Sequence, residues 1–226
     1  MAQHILLIIF SWLIMGVLMA QLIGIDKDWG EAREAAKFTK KYFLAGAGFL
    51  LVGLIPLALY SGQYTLPGIA AVVDEVPFYL LQFSAICVIG AAIVQSAIYP
   101  FHRWLLSAMT APTPASALMH AGFVNGAGIL LALFSSLLLA SNTMNILFVV
   151  GGFTAIIAQF AKLLQVNVKQ KLGCSTIAQM GFMIMQCGLG YFNAAVAHLI
   201  LHGFYKAYLF LSSGEEIKQT KPEQPR

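Results

Sequence analysis

The chain has 226 residues, 59% of them hydrophobic and only 10% charged, with a mean hydropathy of +0.80. That balance excludes a water-soluble globular domain and places the chain among integral membrane proteins. The net charge of +4 is read as a marker of loop position, and nucleic acid is not an expected partner.

Seven apolar runs are long enough to cross about 30 Å of hydrocarbon. They cover residues 4–25, 42–60, 77–99, 114–138, 143–165, 172–189 and 193–213. Nothing alternates with period two, and backbone groups in lipid must be satisfied within their own segment, so the runs predict helices and an all-α membrane fold. The first run lacks a positive n-region and a small-residue cleavage site, so it is expected to stay in the membrane. Residues 1–214 are expected to form one transmembrane helical domain, followed by a cytoplasmic polar tail, EEIKQTKPEQPR, at 215–226.

The loops predict orientation. Lys27, Arg33, Lys37, Lys40 and Lys41 lie between the first two runs, Arg103 between the third and fourth, and Lys162, Lys169 and Lys171 around the junction of the fifth and sixth. Lys218, Lys221 and Arg226 lie in the tail. All fall on one side of an alternating path, which predicts an outside N-terminus and a cytoplasmic C-terminus. The first of these loops, DKDWGEAREAAKFTKKY at 26–42, is expected to form a short interfacial helix, with Trp29 and Tyr42 at headgroup level and Glu34 three residues from Lys37.

PFHRWLL at 100–106 reads as an inner interfacial turn. The following TAPTP at 110–114 starts the fourth helix, since Pro112 and Pro114 suit a first turn and Thr110 and Thr113 can cap it. Gly122, Gly126 and Gly128 allow close helix packing there.

The thirteenth cation, Lys206, falls inside the seventh run, where a lysine costs at least about 2.5–3.5 kcal/mol. His198 and His202 precede it at steps of four, so the three titratable groups share one helix face over about 12 Å of depth. Counting about 1.5 Å per residue from the inner ends of the runs, Lys206 and His120 lie about 10 and 9 Å deep, and Gln95, Gln159 and Gln179 about 6–10 Å. Asn125 is one turn deeper than His120. The five runs thus place a polar residue in one layer. The glutamines can bridge titratable sites through water or act as interhelical hydrogen-bond glue. All nine acids lie outside the predicted hydrocarbon, so Lys206 is either neutral much of the time or takes its counter-ion from another chain. Cys87, Cys174 and Cys187 read as small buried hydrophobes. No Cys/His/Asp cluster has metal-ligand spacing, and no metal or cofactor is expected in the chain.

Three stretches resemble the antiporter-like proton-translocating membrane subunits related to NADH-quinone oxidoreductase subunit 5 and to cation/proton antiporters. They are SAIYPFHRWLLSAMTAPTPASALMHAG at 96–122, VKQKLGCSTIAQMGFM at 168–183 and AAVAHLILHGFYKAYLFLSSG at 194–214, with SWLIMG at 11–16 as a weaker match. The resemblance implies part of an inverted-repeat fold with a broken helix in each half. It matches His120 to the histidine of a first half-channel and Lys169 to a lysine at the next helix junction. It matches His198, His202 and Lys206 to the helix linking the half-channels. Two features of that family are missing. Its buried glutamate would fall at Leu13 and its partner lysine at Gln95, and Leu106-Ser107 replaces a Pro-Asp pair.

The stretch HRWLLSAMTAPTPASALMHAGFVNGAGILL at 102–131 is similar to one subgroup, the DabB (MpsA-type) subunits of dissolved-inorganic-carbon uptake systems. That likeness implies a large soluble, zinc-bearing, carbonic-anhydrase-like partner of DabA type, with the zinc held by the partner. The first expectation is therefore a proton-conducting subunit, not itself an enzyme, of an inorganic-carbon transporter in a prokaryotic inner membrane. His120, His198, His202 and Lys206 would form its relay, and His102, Arg103 and Lys171 would face the partner. The chain is further expected to be one product of a split gene that needs another membrane subunit. The alternatives are a subunit of a respiratory or hydrogenase-type proton pump and a structural anchor for a soluble enzyme.

Overall fold

A computed structural model of the chain describes residues 3–219, with side chains as far as residue 212. Residues 220–226 of the expected tail lie outside the described residues. Seven long helices run α1 (Ile5–Ile23), α2 (Gly30–Ser61), α3 (Phe78–Gln95), α4 (Thr113–Leu133, interrupted), α5 (Met144–Leu163), α6 (Val168–Gly188) and α7 (Phe192–Gln219). Among the described residues, six of them are long and apolar enough to cross a membrane. The exception is α6, whose 21 residues, VKQKLGCSTIAQMGFMIMQCG, carry two lysines and three glutamines. The expected sixth helix therefore forms, but as the most polar of the seven.

The chain goes back and forth. The backbone N–H of Ile5 donates to the Tyr64 carbonyl at 2.9 Å, and that of Leu66 to Gln3 at 2.8 Å. These bonds tie the start of α1 to the α2–α3 connection, at the end opposite the basic α1–α2 turn. Thr65 caps the short helix Leu66–Ala71 through its hydroxyl oxygen, which accepts from the Gly68 N–H.

Two boundaries differ from expectation. The interfacial helix expected over 26–42 is not a separate element: it is the first third of α2, a single helix of 32 residues. Residues 31–45 contain no Gly or Pro and several Ala, Glu and Lys, so nothing breaks the helix between loop and span. At about 1.5 Å per residue α2 is about 48 Å long and overhangs a bilayer core. Ala32, Ala35 and Thr39 on the overhang are buried, so tertiary packing holds it, while Glu34 and Lys37 on its outer side pair at 2.9 Å.

The second difference is α4, expected as one apolar helix over 114–138. It starts at Thr113 as expected but is interrupted after Leu118 by a π-turn, Met119–Phe123, in which the Val124 N–H reaches back to the Met119 carbonyl at 3.1 Å. It resumes at Gly126–Leu133, and a further short helix follows at Ser135–Ala140. Such a turn loosens the carbonyls of residues 123 and 124. Both are taken up at the end of α3, by its last residue and its C-cap: Gln95 Nε2 donates to Phe123 O at 3.2 Å and Ser96 Oγ to Val124 O at 2.7 Å. Neighbouring polar side chains satisfying a broken helix is what a membrane interior requires.

Helices α5 and α6 pack with their backbones in near contact. A methyl group placed on Gly181 would sit 2.7 Å from the Ala155 nitrogen, and one on Gly151 2.7 Å from the Gly181 carbonyl. Small residues permit this approach. The three cysteines are free and buried.

Candidate functional site

Helices α4, α6 and α7 meet around a cluster of titratable side chains. On α7, His202 and Lys206 are 5% and 1% exposed, and His120 on α4 is fully buried. The α4–α7 crossing is close because Gly203 faces the Ala121 carbonyl, which a methyl group would approach to 2.7 Å. Asn125 locks that crossing: its Nδ2 donates to Ala121 O within α4 and to Leu199 O of α7 at 3.2 Å.

Lys206 Nζ donates to the Leu172 carbonyl of α6 at 3.1 Å. The same carbonyl accepts from the Thr176 hydroxyl at 3.1 Å, and Thr176 Oγ1 lies 3.1 Å from His120 Nδ1. His120 and Lys206 are thus joined through two residues of α6, Thr176 and Leu172. Phe210 stacks on the His120 ring at a centroid distance of 4.4 Å. Both Lys206 and His202 lie within electrostatic reach of His120, and Lys162 of α5 within reach of Lys206.

One turn further along α7, the His198 and His202 rings are 6.1 Å apart, edge to face. His198 is held on both sides by α6: Nδ1 is 3.1 Å from Gln186 Oε1 and Nε2 is 3.0 Å from Gln179 Oε1. Since each amide can present its oxygen or its nitrogen, this clamp accommodates either neutral tautomer of the ring or its cation. His202 has both ring nitrogens buried without a hydrogen-bond partner in the described chain, as do His120 at Nε2 and Asn125 at Oδ1. A buried polar atom with no partner is costly, and four such atoms lie on the facing parts of α4 and α7.

The expected layer is therefore only partly assembled. His120, His202, Lys206 and His198 lie along one connected face, with Gln179 engaged at His198. Gln95 serves the broken helix of α4 and Asn125 the α4–α7 crossing, so both stabilise the frame around these groups. Gln159 is not brought to the site. It lies exposed on α5 in an apolar groove with Gly152, Ile156 and Phe160 of α5 and Phe182 of α6, because it sits on the flank of the α5–α6 contact and not on the side where α4 and α7 meet α6. Thr176 and Gln186 were not singled out by sequence.

At the basic end, Lys169 Nζ donates to the carbonyls of Met109 and Ala111 at 3.4 and 3.1 Å. It thereby caps the turn that leads into Pro112 and α4. A cleft of about 760 Å³ opens beside it, lined in part by Trp29, Glu31, Phe38, Met109 and Asn167. Arg103 and Lys171 are exposed at this end, whereas His102 is half-buried with its ring stacked on Tyr99 at 3.8 Å. Burial pushes the His102 imidazole below its ordinary pKa range, so it adds little positive charge to the surface expected to face a partner.

The transmembrane family model described as NADH:quinone oxidoreductase/Mrp antiporter matches residues 2–225. The probable inorganic carbon transporter subunit DabB of Bacillus anthracis is 40% identical over 202 residues, covering 88% of this chain and 40% of that protein. Its counterpart in Bacillus subtilis (strain 168) is 38% identical, covering 93% of this chain and 42% of that protein. The chloroplastic NAD(P)H-quinone oxidoreductase subunit 5 of Cichorium intybus is 33% identical over 227 residues, 30% of its length. The chain thus spans about two-fifths or less of the relatives it matches. Among solved structures, the Mrp complex from Dietzia sp. DQ12-45-1b contains a chain that superposes with a TM-score of 0.92 at 27% identity, over 100% of this chain and 26% of that one. A sequence match over almost its whole length, and a fold shared with that complex, show that this multi-pass membrane chain belongs to the NADH:quinone oxidoreductase/Mrp antiporter transmembrane family.

Proposed function

We propose that the chain is the proton- or cation-conducting membrane subunit of an inorganic carbon (bicarbonate/CO2) uptake complex, energising a carbonic-anhydrase-like partner. The observation that carries the conducting role is the row of half-buried His198 and buried His202 and Lys206, linked across α6 to His120, in a chain whose acids all lie outside the predicted hydrocarbon. Histidines can change charge near neutral pH, and a lysine inside a membrane is a functional group by default. The likeness to DabB subunits supports inorganic carbon as the cargo.

In this reading the basic end is cytoplasmic and the N-terminus outside. A large soluble DabA-type subunit holding zinc docks at that end, near Arg103, Lys171 and the cleft beside Lys169. A further membrane subunit completes the antiporter-like body and supplies the intramembrane acid. Protons pass between the layer of His120 and Lys206 and the outer side past His202 and His198.

Lys206→Ala is expected to abolish bicarbonate-dependent growth and uptake while the complex still co-purifies. Normal growth of that variant contradicts the conducting role. The similarity to subunit 5 favours a second reading, a subunit of a respiratory quinone-linked pump. It predicts co-purification with iron-sulfur and flavin subunits rather than with one large zinc protein.

A further inference from the structure

Thr176 stands at the centre of the site yet is not itself titratable. Its hydroxyl has one hydrogen. A threonine within a helix places that hydrogen well on the carbonyl four residues back, and Thr176 Oγ1 lies 3.1 Å from Leu172 O. With the hydrogen committed there, the oxygen is left as an acceptor towards His120 Nδ1, also at 3.1 Å. The ring must then donate from Nδ1, which leaves Nε2 bare, and Nε2 is buried with no partner in the described chain. The same Leu172 carbonyl accepts from Lys206 Nζ at 3.1 Å. As a mid-helix carbonyl it also accepts the Thr176 N–H, so the threonine bonds it through both N–H and hydroxyl, as helical threonines do, and the lysine joins them as a third, charged donor.

We infer that Thr176 is a positioning residue of the relay: its hydroxyl fixes His120 in the Nδ1–H tautomer, so that Nε2 is the atom that takes up a proton, and it shares the Leu172 carbonyl with Lys206. The inference rests on the conducting role proposed above and adds to it the choice of the proton-accepting atom. Phe210, stacked on the ring face, keeps the ring plane in the orientation that this choice requires. The reverse arrangement, in which the hydroxyl donates to Nδ1 and Nε2 carries the hydrogen, leaves the Leu172 carbonyl to the helical Thr176 N–H and Lys206 and gives the opposite tautomer.

The test uses the chain in its intact membrane complex, with ring-labelled histidine. The chain has five histidines, and loss of one signal in His120→Gln assigns the ring. The nitrogen spectrum of the wild type is expected to show His120 protonated at Nδ1. In Thr176→Val, which keeps the shape and loses the hydroxyl, the signal should move to the Nε2–H form or to a mixture. Proton flux in reconstituted vesicles should fall by about tenfold in Thr176→Val and stay within about twofold of wild type in Thr176→Ser. A wild-type ring protonated at Nε2 overturns the inference without needing Thr176→Val to fold. Undiminished flux in Thr176→Val also overturns it. Undiminished flux in Lys206→Ala, by contrast, defeats the conducting role itself and leaves the tautomer result standing, so the two failures are distinguishable.

Discussion

Helices α1–α3 and α4–α7 bury their interiors in opposite ways. In the first region the packing is apolar, with Leu50, Leu54, Leu57 and Val88 fully buried. The few buried polar groups there mostly find a nearby carbonyl, as Ser84 does on Gly53 O at 2.8 Å and Thr39 on Ala35 O at 2.7 Å. In the second region the helix is interrupted, His120, His202 and Lys206 are buried, and several of the histidines' polar atoms have no hydrogen-bond partner among the described residues. The first arrangement optimises stability; the second gives up some stability to keep titratable groups inside the membrane. That contrast is the expected signature of a rigid wall beside a working element.

Substitutions can break or sharpen the contrast. Leu54→Ala, in the apolar region, is expected to lower stability by about 3 kcal/mol through the cavity it opens. Thermal unfolding of the purified complex measures this, and proton flux per folded molecule should be unchanged. Gln95→Leu joins the two regions: it frees the Phe123 carbonyl at the break in α4 and should cost about 2 kcal/mol. Here flux should fall together with stability, because the π-turn that presents His120 loses its support. His202→Leu removes two unpartnered nitrogens, so stability should stay within about 1 kcal/mol of wild type or rise, while flux falls to background. A large loss of stability in that variant would place His202 in the frame rather than the relay. Gln159→Leu, exposed on α5, should change stability by less than about 0.5 kcal/mol and leave flux intact.

Much of the frame was legible in sequence because hydropathy sets span length directly. The merging of 30–42 into α2 was not, since basic loop residues are also good helix formers and only the burial of Ala32 and Ala35 decides the matter. The interruption of α4 left a trace in Gly122, Asn125 and Gly126, read as packing glycines and a polar residue. Which carbonyls come free, and that Gln95 and Ser96 take them, depends on a neighbour 28 residues away. His198, His202 and Lys206 were readable because helical spacing alone puts them on one face. His120 needed its apolar setting and a depth count. Thr176 and Gln186 escaped because a hydroxyl or amide in an apolar helix reads as glue, although Thr176, Gln179 and Gln186 recur at steps of three and seven on one face of α6. Gln159 shows the limit of depth counting: it lies at a comparable level but points away, and depth carries no information about direction.

The central claim is that the buried cluster conducts rather than merely fastens the chain to its partners. The most direct measurement is proton flux driven by a pH step across vesicles holding the intact complex, comparing wild type with the triple variant His120→Gln, His202→Gln and Lys206→Gln. The predicted result is flux at the level of empty vesicles with the complex still assembled at wild-type stoichiometry. Flux equal to wild type in the assembled triple variant would contradict it and leave the chain as an anchor.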